Sequence, residues 1–172
     1  EVHERALDAD LALALLLESR SVLRPDLRLV AMSATADAAR LAPLMQADVI
    51  ESAGRAFPVE IAWAAEDFAD RRELAPRMAR AIRRALGAQD AAVLAFLPGM
   101  AEIRRTAEAL EDIAAPLHIL HGDIPPAEQD AALSGGRRVV LASSIAETSL
   151  TVEGVGAVVD GGFRRAQKFD PG

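Results

Sequence analysis

The sequence predicts an α/β fold, a parallel sheet lying between two layers of helices. Three observations carry this. From residue 91 onwards, short apolar runs rich in Val, Leu and Ala alternate with stretches of helical periodicity, the pattern of strands joined by helical crossovers. The apolar share of the 172 residues is 51%, enough for a packed core in one domain or two small ones. No period of repeat-protein type breaks the pattern into equal units.

The elements follow in order. Segment 4–20 is apolar nearly all round through Leu11-Ala12-Leu13-Ala14-Leu15-Leu16-Leu17 and predicts a buried helix. Pro25-Asp26 marks a turn, and Leu27 to Met32 predicts a short strand. Asp37 to Met45 predicts a short helix, and Val49-Ile50-Glu51 a second strand. In Ser52-Ala53-Gly54-Arg55-Ala56-Phe57-Pro58, Gly54 and Pro58 punctuate the chain, and Pro58 biases Phe57 towards extended backbone. A domain boundary is expected there, dividing 1–57 from 58–172, with Val59 to Trp63 as the entry strand of the second part. Leu74, Met78, Ala81, Ile82 and Ala85, at spacings of three and four, predict a helix over 70–86, with Gly87 as its C-cap. Strands are then expected at 91–97, 117–120, 138–142 and 155–160, with helices at 100–113 and 126–133.

Composition narrows the function. The net charge of −7 speaks against simple electrostatic wrapping of nucleic acid. It leaves open binding in a cleft through backbone amides and hydroxyls. No long uncharged apolar run suggests a membrane span, and no secretion signal is visible. With no cysteine, disulfides and thiolate metal sites are excluded, in keeping with a reducing compartment and a cytoplasmic protein. Lys168 is the only lysine and is followed by Phe169. A phosphate-binding P-loop needs a Gly-rich turn ending in Lys-Ser/Thr, so this chain contains none.

Several short motifs carry chemistry, each with an ordinary counterpart. Glu1 and His3 are able to position water against a phosphate. Taken alone they fit a solvated terminus better, since six of the first ten residues are charged or histidine. Ser33-Ala34-Thr35 offers hydroxyls that link a nucleotide site to a second domain, or an everyday helix N-cap. Phe96-Leu97-Pro98-Gly99 ends a strand and opens a helix, and His121-Gly122 holds a similar place after the next strand. Ligands bind beyond the carboxyl ends of strands in open parallel sheets, although strand-to-helix turns use Gly and Pro in any case. Ser143 to Thr151 has five hydroxyl residues in nine positions, suited to sugar-phosphate contacts. Glu147 and Glu153 add carboxylates.

The ensemble is more specific than any member. Glu-Val-His-Glu-Arg, Met-Ser-Ala-Thr, Gly-Arg-Ala-Phe-Pro-Val, Phe-Leu-Pro-Gly, Ile-Ala-Glu-Thr-Ser-Leu-Thr-Val-Glu-Gly and Val-Val-Asp-Gly-Gly-Phe occur in this order. Along essentially its whole length the chain resembles the DEAH/DExH-box superfamily 2 helicases, and the bacterial HrpB-type branch in particular, from motif II to just past motif V. The resemblance implies two RecA-like domains, with ATP in the cleft between them and RNA across the top. It implies that Glu1 orients the attacking water, and that His3, Ser33 and Thr35 couple nucleotide state to the domain interface. Phe96, Gly99, His121, Gly122, Ser143 and Thr148 would line the nucleic-acid path, and Glu153 would face the nucleotide. The aspartate that holds Mg2+ would precede Glu1.

Departures from the family pattern are also visible. Ser143-Ser144 stands where relatives usually carry Thr-Asn, and Leu133 lies where many carry an aromatic that stacks on adenine. The P-loop, the motif II aspartate and the arginine-rich motif VI, which phosphoryl transfer requires, are not in this sequence. Two rivals remain: a non-catalytic module that kept the fold, and an unrelated dinucleotide or methyl-donor binder. The latter calls for a Gly-x-Gly-x-x-Gly turn after a strand, which the sequence lacks.

Overall fold

A computed structural model of the chain describes residues 6–33, 38–52, 54, 57–64, 70–143 and 150–163. It divides into two compact units, Glu1–Ala62 and Trp63–Gly172.

The first unit contains helices α1 (Leu7–Val22) and α2 (Ala38–Met45). Leu, Ala and Glu favour α1 intrinsically. Asp8 and Asp10 in its first turn and Arg20 in its last complement the helix dipole. Helix α2 ends just after Pro43, with Gln46 in the left-handed region at φ 51°. Arg20 donates to the Met45 carbonyl at 2.8 Å, tying the two helices together. Three expectations are corrected in this part of the chain. Helix α1 has no buried residue, and Leu7, Leu11 and Leu15 are exposed. Segments 27–32 and 49–51 form no strand, and Val30, Met32 and Ile50 are largely exposed. Nor is there a strand at 59–63, where every residue is exposed. The missing strands share one physical reason. An apolar pattern supplies the side chains of a strand or buried helix, but a strand exists only when a neighbour takes up its N–H and C=O groups. No such neighbour is present among the described residues.

The second unit carries the core. Its elements are α3 (Leu74–Ala88, preceded by a 3-10 turn at Arg71–Glu73), β1 (Ala92–Phe96), α4 (Met100–Glu108), β2 (Leu117–Leu120), α5 (Pro126–Leu133), β3 (Val139–Ala142) and β4 (Val155–Asp160). The four strands form one sheet in the order β2-β3-β1-β4, parallel at every pairing. Gly87 does not cap α3. The helix runs on to Ala88 and its C-cap is Gln89.

Side chains alternate across the sheet with period two. Val93 and Ala95 of β1, Val139 and Leu141 of β3, and Ala157 and Val159 of β4 face α3 and α4. There they meet Leu74, Met78, Ile82, Leu86 and Ile103. On the other face, Leu94, Leu120, Val140 and Ala142 pack with Ala132 of α5. The result is the three-layer α/β arrangement the sequence predicts. Outside the core, Arg83 of α3 bonds the Ala109 carbonyl and the Asp112 carboxylate. That guanidinium holds the Asp112 carboxyl below its ordinary value.

The two units should differ in protection. Core strands and helices open only with global unfolding, whereas elements with few buried contacts open locally. Amide hydrogen exchange should therefore be slow at Val93–Ala95 and Val139–Leu141, and fast throughout α1. Equal protection in both units would contradict this.

Candidate functional site

In a parallel sheet all strands end on the same edge, and the register fixes which ends are neighbours. Phe96 lies opposite both Ala142 and Asp160, and Leu120 lies opposite Ala142. Strands β1, β3 and β4 are then each extended by one further bond. Leu97 N–H donates to the Ala142 carbonyl at 2.8 Å, Ser143 N–H to the Leu120 carbonyl at 3.3 Å, and Gly161 N–H to the Phe96 carbonyl at 3.1 Å. The backbone on leaving the sheet is thus pinned at three adjacent places.

Five of the expected site residues come together along this edge. Phe96 is half-buried at the end of β1, and Gly99 is buried at the N-cap of α4. The first amides of α4 lack helical partners and lie just beyond the edge, a setting that favours phosphate. His121 and Gly122 follow β2. His121 is half-buried and Gly122 exposed. Ser143, only 9% exposed, lies in the floor of the edge.

Sequence reasoning assigned no role to the end of β4, which completes the row. The Asp160 carboxylate accepts the Gly162 N–H at 2.8 Å, and Gly162 has φ 71°, a conformation that favours glycine. A Cβ on Gly161 would lie 3.1 Å from the Phe96 carbonyl, so the chain passes close to β1 there. The signal was present in Asp160-Gly161-Gly162 directly after an apolar run.

Glu153 does not join this group. It precedes β4 and so lies at the amino edge, exposed. Its N–H donates to the Leu133 carbonyl at 2.8 Å, and its carbonyl accepts from Arg138 at 3.0 Å. Ser33 lies exposed in the first unit. Glu1, His3, Thr35 and Thr148 fall outside the described residues.

Arg138, also unmarked by sequence reasoning, is 2% exposed. Its guanidinium donates to the carbonyls of Ala132, Leu133, Gly135, Gly136 and Glu153. Two of these are the last carbonyls of α5, the negative end of that helix. The charge is therefore met by five backbone dipoles rather than by a carboxylate. It locks α5, the turn after it and the approach to β4 into one piece.

Among the described residues no three His, Cys, Asp or Glu side chains gather to hold a metal, and no helix is long and apolar enough to cross a membrane. What the carboxyl edge offers is a row of backbone amides, a hydroxyl, an imidazole and an aromatic ring. Backbone amides and hydroxyls are among the groups that contact sugar-phosphate in nucleic-acid complexes, and aromatic rings are able to stack on bases.

No protein-family model matches the chain. The ATP-dependent RNA helicase HrpB of Escherichia coli is 43% identical over 179 residues, spanning 99% of this chain and 22% of the relative. The pre-mRNA-splicing factor ATP-dependent RNA helicase prp22 of Schizosaccharomyces pombe is 35% identical over 185 residues, covering 99% of this chain and 16% of that protein. The crystal structure of the Escherichia coli DEAH/RHA helicase HrpB matches with a TM-score of 0.76 at 43% identity, covering 99% of this chain and 23% of that one. The chain thus spans about a fifth of the HrpB relative. Over nearly its whole length the chain is therefore similar in sequence and fold to DEAH-box ATP-dependent RNA helicases.

Proposed function

We propose that this chain is part of an ATP-dependent RNA helicase, and that the carboxyl edge of its parallel sheet holds the RNA backbone. The observation that carries the reading is the convergence of Phe96, Gly99, His121, Gly122 and Ser143 on one edge of one sheet. The named activity of its 35–43% identical relatives supports it. Residues 1–57 would belong to the first RecA-like domain and 58–172 to the second. Glu1 and His3 would act on ATP, with Mg2+ held by an aspartate outside this sequence. Ser33 and Thr35 would report the nucleotide state to the domain interface. Hydrolysis would alternate the cleft between open and closed, and unequal grip by the two domains would move them along the strand. The cysteine-free composition fits a cytoplasmic site of action.

Glu153 is the least supported assignment, because it stands at the opposite edge from the rest of the group. A role towards nucleotide would place ATP and RNA at opposite ends of β4.

Thr148 tests the reading. In the full-length protein that carries this chain, Thr148→Ala removes one neutral hydrogen bond, a loss of about 0.5–1.5 kcal/mol. RNA affinity should fall about threefold to tenfold, and RNA-stimulated hydrolysis should suffer more than hydrolysis without RNA. A variant with lost hydrolysis and unchanged RNA affinity would place Thr148 at the nucleotide instead.

A further inference from the structure

The turn after β2 holds its histidine in a particular way. Ile124 N–H donates to the His121 carbonyl at 3.0 Å, closing a four-residue turn over 121–124. Inside that turn, Asp123 N–H donates to His121 Nδ1 at 3.1 Å. The Asp123 carboxylate lies farther off, with Oδ2 3.4 Å from the same nitrogen. The imidazole is 21% exposed and Asp123 is 77% exposed, so the ring is partly enclosed while its neighbour stands in solvent.

An amide N–H has a hydrogen to give and nothing to accept with. It can bond Nδ1 only when Nδ1 carries no proton, and in a neutral imidazole the proton then sits on Nε2. An imidazolium would carry a proton on Nδ1. It would have to release the Asp123 amide and turn that proton to the Asp123 carboxylate, so the two arrangements exclude one another.

We propose that the 121–124 turn fixes His121 as a neutral imidazole protonated at Nε2, and that this single uncharged N–H is what His121 offers the RNA backbone. Asp123 is then a positioning residue, acting through its backbone amide. This rests on the reading of the carboxyl edge as an RNA site and adds the identity of the donor atom and its charge. It also fits the net charge of −7, since the grip becomes one of oriented neutral donors rather than of cations. A neutral donor releases no counterion, whereas each cation that neutralises a phosphate on single strands adds about 0.7 to the slope of log K against log salt.

Two measurements on the full-length protein decide the matter. With ¹⁵N-labelled histidine, and His121 assigned by its absence in His121→Gln, long-range ¹⁵N–¹H spectra at neutral pH should show Nδ1 unprotonated and Nε2 protonated. A proton on Nδ1, alone or in an imidazolium, overturns the proposal whether or not RNA binds. The second measurement is RNA affinity as a function of salt. Glutamine places an amide nitrogen where Nε2 stood, and asparagine places one where Nδ1 stood. His121→Gln should stay within about twofold of the original affinity with the same salt slope, while His121→Asn should lose about threefold to tenfold. Equal losses in both variants, with a shallower salt slope, would show that a cation had made the contact and would overturn the proposal. Unchanged affinity in His121→Gln, His121→Asn and His121→Ala, with the Nε2–H tautomer present, would instead remove His121 from the RNA site and so overturn its reading as a ligand.

Discussion

Arg138→Met is expected to destabilise the chain by about 1–3 kcal/mol. Replacing a buried ion pair by apolar residues is often harmless, because both charged partners leave together. Arg138 is a different case. Its partners are five backbone carbonyls, which stay in place when the guanidinium is removed. The bond to the Ala132 carbonyl is buried and the other four are partly so, and an acceptor left without a donor carries a desolvation penalty to the extent that water cannot reach it. Arg138→Lys should recover only part of the loss, since an ammonium has three donors and no planar fork. Thermal and denaturant unfolding of the chain would measure the effect. A loss under about 1 kcal/mol would mean that the five bonds contribute no more than a typical surface ion pair.

The second large effect concerns catalysis. In the full-length protein, Glu1→Gln should lower ATP turnover by about 100-fold or more while leaving ATP affinity nearly unchanged. Glutamine keeps the shape of the side chain and removes the charge that, on the proposed function, would orient the attacking water. Steady-state turnover together with a nucleotide-binding titration would separate the two quantities. Turnover within a few-fold of the original would remove Glu1 from the catalytic site.

How much of this was legible in the sequence depended on whether an element is complete within the chain. Strands β2 and β4 and helix α5 lie at their expected limits. Each is an apolar or helical run bounded by proline, glycine or a polar turn, with its packing partners in the same unit. The segments 27–32, 49–51 and 59–63 carry the same kind of pattern and form no strand. Pattern records which residues suit a strand, whereas a ladder needs a second backbone. Helix α1 makes the same point with leucines, suited to burial yet exposed.

The site was legible to a similar degree. Placing Phe96, Gly99, His121, Gly122 and Ser143 after successive strands was enough to predict their shared edge once the sheet was parallel. Arg138 was invisible, because an arginine beside another arginine after Gly135-Gly136 has the appearance of an ordinary solvated turn. The slip in register between β1 and β4 was invisible for another reason. Gly156 occupies it, and a Cβ there would collide with the Gln89 side chain and Ala91. That constraint comes from a segment some sixty-five residues earlier and leaves no local mark.

The most direct test of the central claim is a hydrogen-exchange footprint of RNA on the full-length protein. If the carboxyl edge of the sheet holds the RNA backbone, added RNA should slow exchange at 97–100, 121–124 and 143–151. It should leave the amino edge, at 89–91 and 135–138, unchanged. Slowed exchange confined to the amino edge, or none in this chain while RNA is bound elsewhere, would contradict the account.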